Sequence, residues 1–253
     1  MPVSERDMMG GLAKGLAVIE SFSPDSPRQS ISEVSAATGL DRATARRCLL
    51  TLAHLGYADH DGKYFALAPR VLRLGTACLA TMKLPQLVQP MLDEISDELG
   101  ESASVSILDG SEIVYVARAA QRKVMSIALM PGSRLPAYCT SMGRVMLAAL
   151  PEAEARQRIG SDPLPRRTPH TLTEPEAILS ELSRVRSQGY AVIDQEVEIG
   201  LRSVAVPLMS ARRVTVAAVN FGLPARGEPI EPLIERYLPA LRSVSARLRD
   251  ILR

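Results

Sequence analysis

The chain has 253 residues, of which 46% are hydrophobic and 23% charged, and its formal net charge at pH 7 is +2. This length is sufficient for two hydrophobic cores. This near-neutral net charge neither indicates nor excludes a nucleic-acid partner, because nucleic-acid binding depends on where the positive residues cluster. Aromatic residues make up only 4% and Trp is absent, which argues against stacking platforms for single-stranded nucleic acid.

The cysteines and the apolar runs indicate the compartment. Cys48, Cys78 and Cys139 are far apart and lack metal-ligand spacing, so they are predicted to be reduced thiols without disulfides or zinc. No apolar run approaches the roughly 18 residues of a membrane span, and the first residues lack the apolar core of a signal peptide. We therefore expect a soluble cytoplasmic protein with no membrane contact, no metal and no cofactor.

The first part of the chain shows short helices in succession. Ser30 and Glu33 have the spacing of a capping box, in which each side chain bonds the backbone N–H of the other residue. The helix that they open is expected to stop at Gly39, because glycine tolerates the left-handed conformation of a helix end. An earlier helix is predicted to bury one apolar face, made of Leu12, Leu16, Ile19 and Phe22.

A third helix and a hairpin follow. Asp41 is a suitable N-cap for the helix. The pair Asp61-Gly62 separates two strand-like runs, which is a strong indication of a β-hairpin. Two helices, a third helix and a hairpin form the pattern of a winged helix-turn-helix domain. The buried face of the third helix is predicted to carry Ala45, Leu49, Leu52 and Leu55.

Positive charge is concentrated at the start of this third helix. Residues 41–47 contain three Arg and one Asp. Arginine can bond guanine or phosphate, and small residues allow close approach to base edges. The spacing alone leaves the alternative of an ordinary small domain with a solvated arginine face. The predicted DNA-binding residues, with the last one on the wing, are Ser30, Arg42, Ala43, Thr44, Arg46, Arg47 and Lys63.

The rest of the chain favours a second, larger domain of the α+β class with a mostly antiparallel sheet. We predict a winged helix-turn-helix domain over 1–68, a linker helix over 69–84 and a further domain over 85–253. Strands are predicted at Ala103–Leu108, Ile113–Ala117, Val124–Leu129, Tyr190–Ile193, Ser203–Met209 and Val214–Asn220. Helices are predicted at Pro90–Leu99, Thr140–Leu150 and Glu174–Gln188, with a loop at Met130–Ala137 and a last amphipathic helix from Leu233 to Ile251.

Long motifs of both parts resemble the IclR family of bacterial transcriptional regulators. They include ISEVSAATGLDRATARRCLLTLAHLGYADHDGKYFAL, GSRLPAYCTSMGRVMLAALP and VRSQGYAVIDQEVEIGLRSVAVP, so the resemblance covers nearly the whole chain. It is strongest to the subgroup that controls the β-ketoadipate pathway and hydroxybenzoate breakdown. The resemblance implies double-stranded operator DNA as a partner, a linker helix used in dimerisation and a GAF-like effector domain. It also implies dimers or tetramers that meet RNA polymerase at a promoter.

An effector site is predicted in the second domain. A guanidinium in the loop and free amides at the start of the following helix favour an anion, so a small carboxylic acid, aromatic-derived or dicarboxylic, is the expected effector. Asp194, Glu196 and Glu198 alternate along the chain and would repel it unless they pair with Arg134, Arg202 or a ligand hydroxyl, or are solvated. By position in the family motifs, the predicted effector-binding residues are Arg134, Tyr138, Thr140, Ser141, Met142, Asp194, Glu196, Ser203 and Asn220.

Other classes of function fit the sequence less well. An enzyme is disfavoured because Ser141 is not in a GxSxG elbow and no GxGxxG, P-loop or metal spacing is present, so no catalytic residue is predicted. A ligand sensor that does not bind DNA would leave the arginines of the third helix without a role. A regulator of an unrelated catabolic operon, responding to another small carboxylic acid, is the nearest alternative. The sequence does not distinguish activator from repressor.

Overall fold

The computed structural model describes residues 4, 7–121, 129–249 and 251, and the chain divides into two units, Met1–Ala80 and Thr81–Arg253. Each unit has a hydrophobic core of its own. Within the described ranges, no helix combines the length and the apolar character needed to cross a membrane.

The first unit is a helix-turn-helix followed by a small antiparallel wing, as predicted. The hairpin pairs Ala58 with Leu67 and His60 with Phe65. A two-residue strand that the sequence analysis missed adds to it, because two residues carry no periodicity. The elements are α1 (Gly10–Glu20), β1 (Arg28–Gln29), α2 (Ile31–Thr38), α3 (Arg42–His54), β2 (Ala58–His60), β3 (Phe65–Leu67) and α4 (Leu72–Thr81).

The predicted helix caps are confirmed. The backbone N–H of Ser30 donates to Glu33 Oε2 at 2.7 Å, and the N–H of Glu33 donates to Ser30 Oγ at 3.4 Å. Asp41 Oδ1 accepts the N–H of Thr44 at 2.9 Å at the start of α3. Gly39 ends α2 with φ of 70°. These local bonds fix the turn between the two helices and therefore the position of α3.

The buried face of α1 differs from the prediction. Leu12 and Leu16 are 61% and 46% exposed, whereas Val18 is fully buried. The groove between α1 and α3 is lined on the α1 side by Gly11 and Gly15, which lie in register with Val18 at helical spacing. A Cβ added at Gly11 or Gly15 would meet no atom within 4 Å, so the groove stays open along this face of α1, and Leu12 and Leu16 lie outside the buried face around Val18. Leu55, also predicted to be buried, is 49% exposed after the end of α3.

The second unit is built on a six-stranded sheet of order β6-β5-β4-β9-β8-β7, in which every neighbouring pair is antiparallel. The α+β class with an antiparallel sheet is therefore confirmed. The helices are α5 (Lys83–Leu99), α6 (Ser141–Ala148), α7 (Glu152–Ile159), α8 (Pro175–Gln188) and α9 (Glu231–Arg249). The strands are β4 (Ser102–Asp109), β5 (Glu112–Ala119), β6 (Arg134–Pro136), β7 (Ala191–Asp194), β8 (Leu201–Met209) and β9 (Thr215–Pro224).

Strand alternation gives the two faces of this sheet different characters. Val105, Val206 and Phe221 belong to a core with α5 and α9 on one face. On the other face, Ala205 and Ala218 join a core formed with α6 and α8. Neighbouring strand positions on that second face carry polar residues, since side chains alternate across a strand. The space beside α6 is therefore the place where a polar ligand can be bound.

Several predicted elements differ in extent. Helix α5 begins at Lys83 and not at the predicted Pro90, which lies inside it. The burial of its apolar face stabilises the helix across the proline. The predicted loop before α6 contains β6, and α7 was not predicted because it is highly charged. In the predicted strand Val124–Leu129, residues 124–128 lie outside the described residues.

The predicted linker segment, residues 69–84, comprises a 3₁₀ turn (Pro69–Val71), helix α4 and the first residues of α5. The two helices are separated at Met82, which is extended. The domain boundaries at 68 and 84 stay a proposal.

Helix α6 packs closely on the 3₁₀ turn that precedes it, Ala137–Cys139. A Cβ added at Gly143 would lie 2.2 Å from the carbonyl oxygen of Ala137 and 2.5 Å from Thr140 Oγ1. We expect Gly143→Ala to lower the free energy of unfolding by about 1–3 kcal/mol, because the helix must move away from the turn. Urea unfolding followed by far-UV circular dichroism measures this.

Gly15→Ala is the matched control for this prediction. It lies inside α1, where an added Cβ meets no atom within 4 Å. Alanine there should stabilise the helix by about 0.5–1 kcal/mol. Equal effects of the two substitutions would contradict the close contact at Gly143.

Candidate functional site

The first half of α3 presents an exposed cationic surface. Arg42, Ala43, Arg46 and Arg47 are exposed, as predicted for a helix that enters a groove of DNA. Thr44 differs from the prediction, since it is buried and its hydroxyl accepts a hydrogen bond from Arg47 Nη2 at 3.3 Å. Its side chain therefore supports the helix instead of facing outward.

The other predicted DNA contacts have distinct surroundings. Arg42 Nη2 donates to Ser32 Oγ at 2.6 Å, which ties α3 to α2. Ser30 is occupied by the capping box. Arg46 makes no hydrogen bond or ion pair with any residue that the structure describes, so its guanidinium is available to a ligand. Lys63 lies on the exposed wing, with Nζ 4.8 Å from the centre of the Tyr64 ring.

A cavity lies between the polar face of the sheet and the start of α6. The space that the centre of a water molecule can reach in it is about 30 Å³, and about 400 Å³ lies between the lining atoms when the opening to solvent is included. The predicted residues that line it are Thr140, Ser141, Met142, Ser203 and Asn220. The lining residues that were not predicted are Ser104, Tyr115, Arg118, Leu135, Val197, Leu201 and Gly222.

Arg118 supplies the positive charge of the cavity. Its Nη1 donates to Ser104 Oγ at 3.0 Å, and no carboxylate of the described residues forms an ion pair with it. Burial lowers the pKa of Arg118, since the charged form is partly removed from water. Ser104 is opposite both Arg118 on β5 and Asn220 on β9, so these three residues form a row across the sheet.

Two buried polar atoms on the cavity lining have no hydrogen-bond partner among the described residues. They are Ser141 Oγ and Asn220 Oδ1. A buried polar group without a partner costs about 1–3 kcal/mol. A ligand that bonds these atoms would recover this free energy. The first N–H groups of α6 also lack acceptors within the helix, and its N-terminus favours an anion. The cavity thus combines the recognition groups for a small polar acid.

Four of the predicted effector residues do not line this cavity, namely Arg134, Tyr138, Asp194 and Glu196. Arg134 is on the edge strand β6, where it forms ion pairs with Asp109 and Glu112, each at 2.7 Å, and is about half exposed. The hydroxyl of Tyr138 donates to the carbonyl of Pro165. Burial raises the pKa of Tyr138 to about 12. Both residues stabilise loops beside the cavity.

The acidic residues are also paired within the protein. Asp194 accepts from Arg202 Nε at 2.7 Å and from Nη2 at 3.1 Å, across neighbouring strands. This bond to Arg202 lowers the pKa of Asp194. Glu196 Oε2 accepts from Arg144 Nη2 at 2.7 Å. Neither carboxylate faces the cavity, so neither repels an anionic ligand there. The pairing of Asp194 with Arg202 is one of the options that the sequence left open.

Arg144 is the centre of a buried network that the sequence analysis missed. It is 2% exposed, and its Nε donates to the carbonyl of Tyr138 at 2.9 Å. Burial raises the pKa of Glu196, and the charge of Arg144 opposes this effect. Glu196 also accepts the N–H of Leu172 at 3.0 Å. The network joins α6 to the loop that carries Val197 into the cavity wall. The sequence signal that could have indicated this network is a single arginine within an otherwise apolar helix.

Family models match both units of the chain. Residues 11–62 match the IclR helix-turn-helix domain, and residues 76–247 match the bacterial transcriptional regulator IclR C-terminal domain. These matches support the prediction of a helix-turn-helix unit joined to an effector-binding unit.

Individual relatives agree with this assignment. The chain is 44% identical to a Pca regulon regulatory protein of Pseudomonas putida, over 96% of this chain and 84% of the relative. It is 36% identical to a p-hydroxybenzoate hydroxylase transcriptional activator of Acinetobacter baylyi, over 98% and 94%. A solved structure of a double mutant of the PobR inducer-binding domain from Acinetobacter, in complex with 3-hydroxybenzoic acid, is 31% identical. It covers 68% of this chain and 100% of that domain, with a TM-score of 0.63.

The Arg144–Glu196 pair gives a test of the cavity architecture. We expect Arg144→Met to lower the free energy of unfolding by about 3–5 kcal/mol, because the buried Glu196 carboxylate loses its cation. Glu196→Gln should cost less, because Arg144 Nη1 still lies 3.9 Å from Glu181 Oε1. The double variant should lose much less than the sum, since it leaves neither charge. Urea unfolding of the four proteins measures the coupling.

The exposed pair Arg156–Glu176 is the matched control. Arg156→Met and Glu176→Gln should each change the free energy of unfolding by about 0–1 kcal/mol, because exposed ion pairs contribute little. Strictly additive losses at Arg144 and Glu196 would show that the two groups do not act as a pair.

Proposed function

Because the chain belongs to the IclR family of bacterial transcriptional regulators, we propose that it controls genes of aromatic-acid catabolism and that a small aromatic acid of the hydroxybenzoate or protocatechuate type is its effector. The relatives from Pseudomonas putida and Acinetobacter baylyi regulate functions named for the pca genes and for p-hydroxybenzoate hydroxylase. The neighbouring PobR domain holds 3-hydroxybenzoic acid.

One observation carries the choice of ligand class. Arg118 is a partly buried guanidinium on the cavity lining without an acidic partner among the described residues, and it is two strands away from Asn220. Two strand spacings separate the backbones by about 10 Å. The side chains of Arg118 and Asn220, with one small ring between them, would span this distance. Arg118 would bind the carboxylate, and Ser141 and Asn220 would bind the ring hydroxyl. Tyr115, Leu135 and Leu201 supply an apolar wall for the ring.

DNA binding is assigned to α3 and the wing. The exposed arginines of α3, Arg46 above all, would reach base edges or phosphates in the major groove. Lys63 would contact the backbone from the wing.

The regulator would act as a dimer or a tetramer in the cytoplasm and meet RNA polymerase at the promoter. Helix α4 supports self-association, since none of its residues is buried and Leu72 and Leu74 are 71% and 51% exposed. A partner copy would cover such an apolar surface. Effector and DNA binding would be coupled reciprocally, typically by about 1–3 kcal/mol.

The chain would act by binding and not by catalysis. Cys139 is fully buried, and burial raises the pKa of its thiol to about 11, so the nucleophilic thiolate does not form near neutral pH. Ser141 Oγ has no base bonded to it among the described residues. Incubation with candidate acids should therefore change thermal stability without turnover.

The assignment of Arg118 is tested by calorimetry with 4-hydroxybenzoate, protocatechuate and β-ketoadipate. Arg118→Ala should weaken binding of the recognised acid at least tenfold, because a hydrogen bond to a charged group contributes about 1.5–3 kcal/mol. Operator binding without effector should be unchanged.

Arg134→Ala is the matched control, since Arg134 is an exposed arginine outside the cavity. It should bind the acid like the wild type. The opposite result, with Arg134 essential and Arg118 dispensable, would place the carboxylate at the predicted loop. If none of the three acids binds, the protein responds to another small carboxylic acid.

The DNA-binding surface is tested with Arg46→Ala and Arg47→Ala. Each should weaken binding to the promoter fragment, by about 1–3 kcal/mol where the arginine reads a base. Fluorescence anisotropy with a labelled duplex measures the dissociation constant. A double variant that binds the promoter like the wild type would contradict the assignment of α3.

A further inference from the structure

The wing carries a cationic cluster that joins the predicted DNA contact Lys63 to Arg28, which was not predicted to contact DNA. Its tip is the turn at Asp61-Gly62, where Gly62 has φ of 101°. Asp61 Oδ1 accepts the N–H of Lys63 at 3.0 Å and the N–H of Tyr64 at 2.8 Å. Oδ1 of this carboxylate therefore stabilises the turn, and Oδ2 remains for a partner outside the turn.

Arg28 reaches this tip from β1. The strand pairs with β3, placing Arg28 opposite Ala66. The Arg28 guanidinium forms an ion pair with Asp61 Oδ2 and lies 5.6 Å from the centre of the Tyr64 ring. Lys63 Nζ lies 4.8 Å from the same ring. Two cations thus share one aromatic ring at the end of the wing, although 35 positions separate them in the sequence.

We infer that Arg28, Lys63 and Tyr64 form a phosphate-binding cluster on the DNA-facing edge of the wing, with Asp61 holding Arg28 in the absence of DNA. The Arg28 and Asp61 side chains are 59% and 47% exposed, so a ligand can reach both. Exposed ion pairs contribute little to stability, which allows the guanidinium to exchange the carboxylate for a phosphate. A planar guanidinium bonds phosphate oxygens in pairs.

The geometry favours the sugar-phosphate backbone over base edges. Arg28 is fixed by a strand and by the tyrosine ring at the tip of a hairpin, whereas the base-reading helix is α3. Contacts to phosphates position the protein without selecting a sequence. The inference rests on the proposed DNA-binding function and adds a residue to it that precedes α2 in the chain.

The test compares salt-dependent binding of two duplexes, the promoter fragment and a scrambled duplex of the same length. Arg28→Ala should weaken both by a similar factor and make the slope of log K against log salt shallower by about one, since one phosphate contact is lost. Arg28→Lys keeps the charge and should keep the slope. Arg156→Ala removes an exposed, ion-paired arginine of the other unit and should change neither quantity.

Asp61→Asn tests the holding role of the carboxylate. Asparagine retains an oxygen that accepts the turn N–H groups but removes the ion pair with Arg28. It should tighten DNA binding, and the gain should be smaller in the Arg28→Ala background. Equal gains in both backgrounds would overturn the role of Asp61.

The remaining outcomes separate this inference from the proposed function. If the wild-type protein binds and Arg28→Ala binds with the same affinity and the same salt slope, the phosphate contact alone is overturned. Absence of binding by the wild-type protein to either duplex overturns the proposed function together with the inference. Thermal unfolding of each variant, expected to match the wild type, shows that the wing remains folded.

Discussion

The buried ion pair between Arg144 and Glu196 is the constraint on which the effector unit depends. It joins the middle of α6 to a loop 52 residues later, and both partners are almost completely removed from water. Arg144 fixes the turn before α6 through the Tyr138 carbonyl, and Glu196 fixes the segment at Leu172 through its backbone N–H. Because an unpaired charge there is costly, these elements hold one arrangement.

That arrangement decides what the cavity can bind. The pairing keeps the Glu196 carboxylate away from the space that Arg118 faces, and the Arg202 pairing does the same for Asp194. Among the described residues, the cavity lining therefore carries one guanidinium without an acidic partner and two buried polar atoms without a hydrogen-bond partner. An anionic ring compound would bond all three. The acidic segment, which by its charge alone would oppose an acid effector, instead supports the wall of the proposed binding site.

The DNA-binding unit uses shorter-range interactions. Its helices are positioned by side-chain caps and by the hydrogen bond from Arg42 to Ser32, and its wing by the bonds of Asp61. Arg42 and Arg28 are therefore held by hydrogen bonds or ion pairs to neighbouring side chains, whereas Arg46 has no such partner among the described residues. A reader of this kind combines a few oriented cations with modest net charge, which suits binding that an effector can reverse.

The sequence by itself determined the features whose causes are local. Ser30 with Glu33, Asp41, and the pair Asp61-Gly62 act within three or four residues, so the helix-turn-helix and its wing were predictable, as were the helix start at Thr140 and the antiparallel character of the sheet. Arg118 was not predictable, because a β-bulge between Val105 and Ser106 shifts the pairing by one residue. Counting back from the hairpin turn without this bulge would place Ala117 opposite Ser104. A one-residue shift exchanges the faces of a strand, and so only the tertiary structure decided that Arg118, and not the nearer-seeming Arg134, lines the cavity.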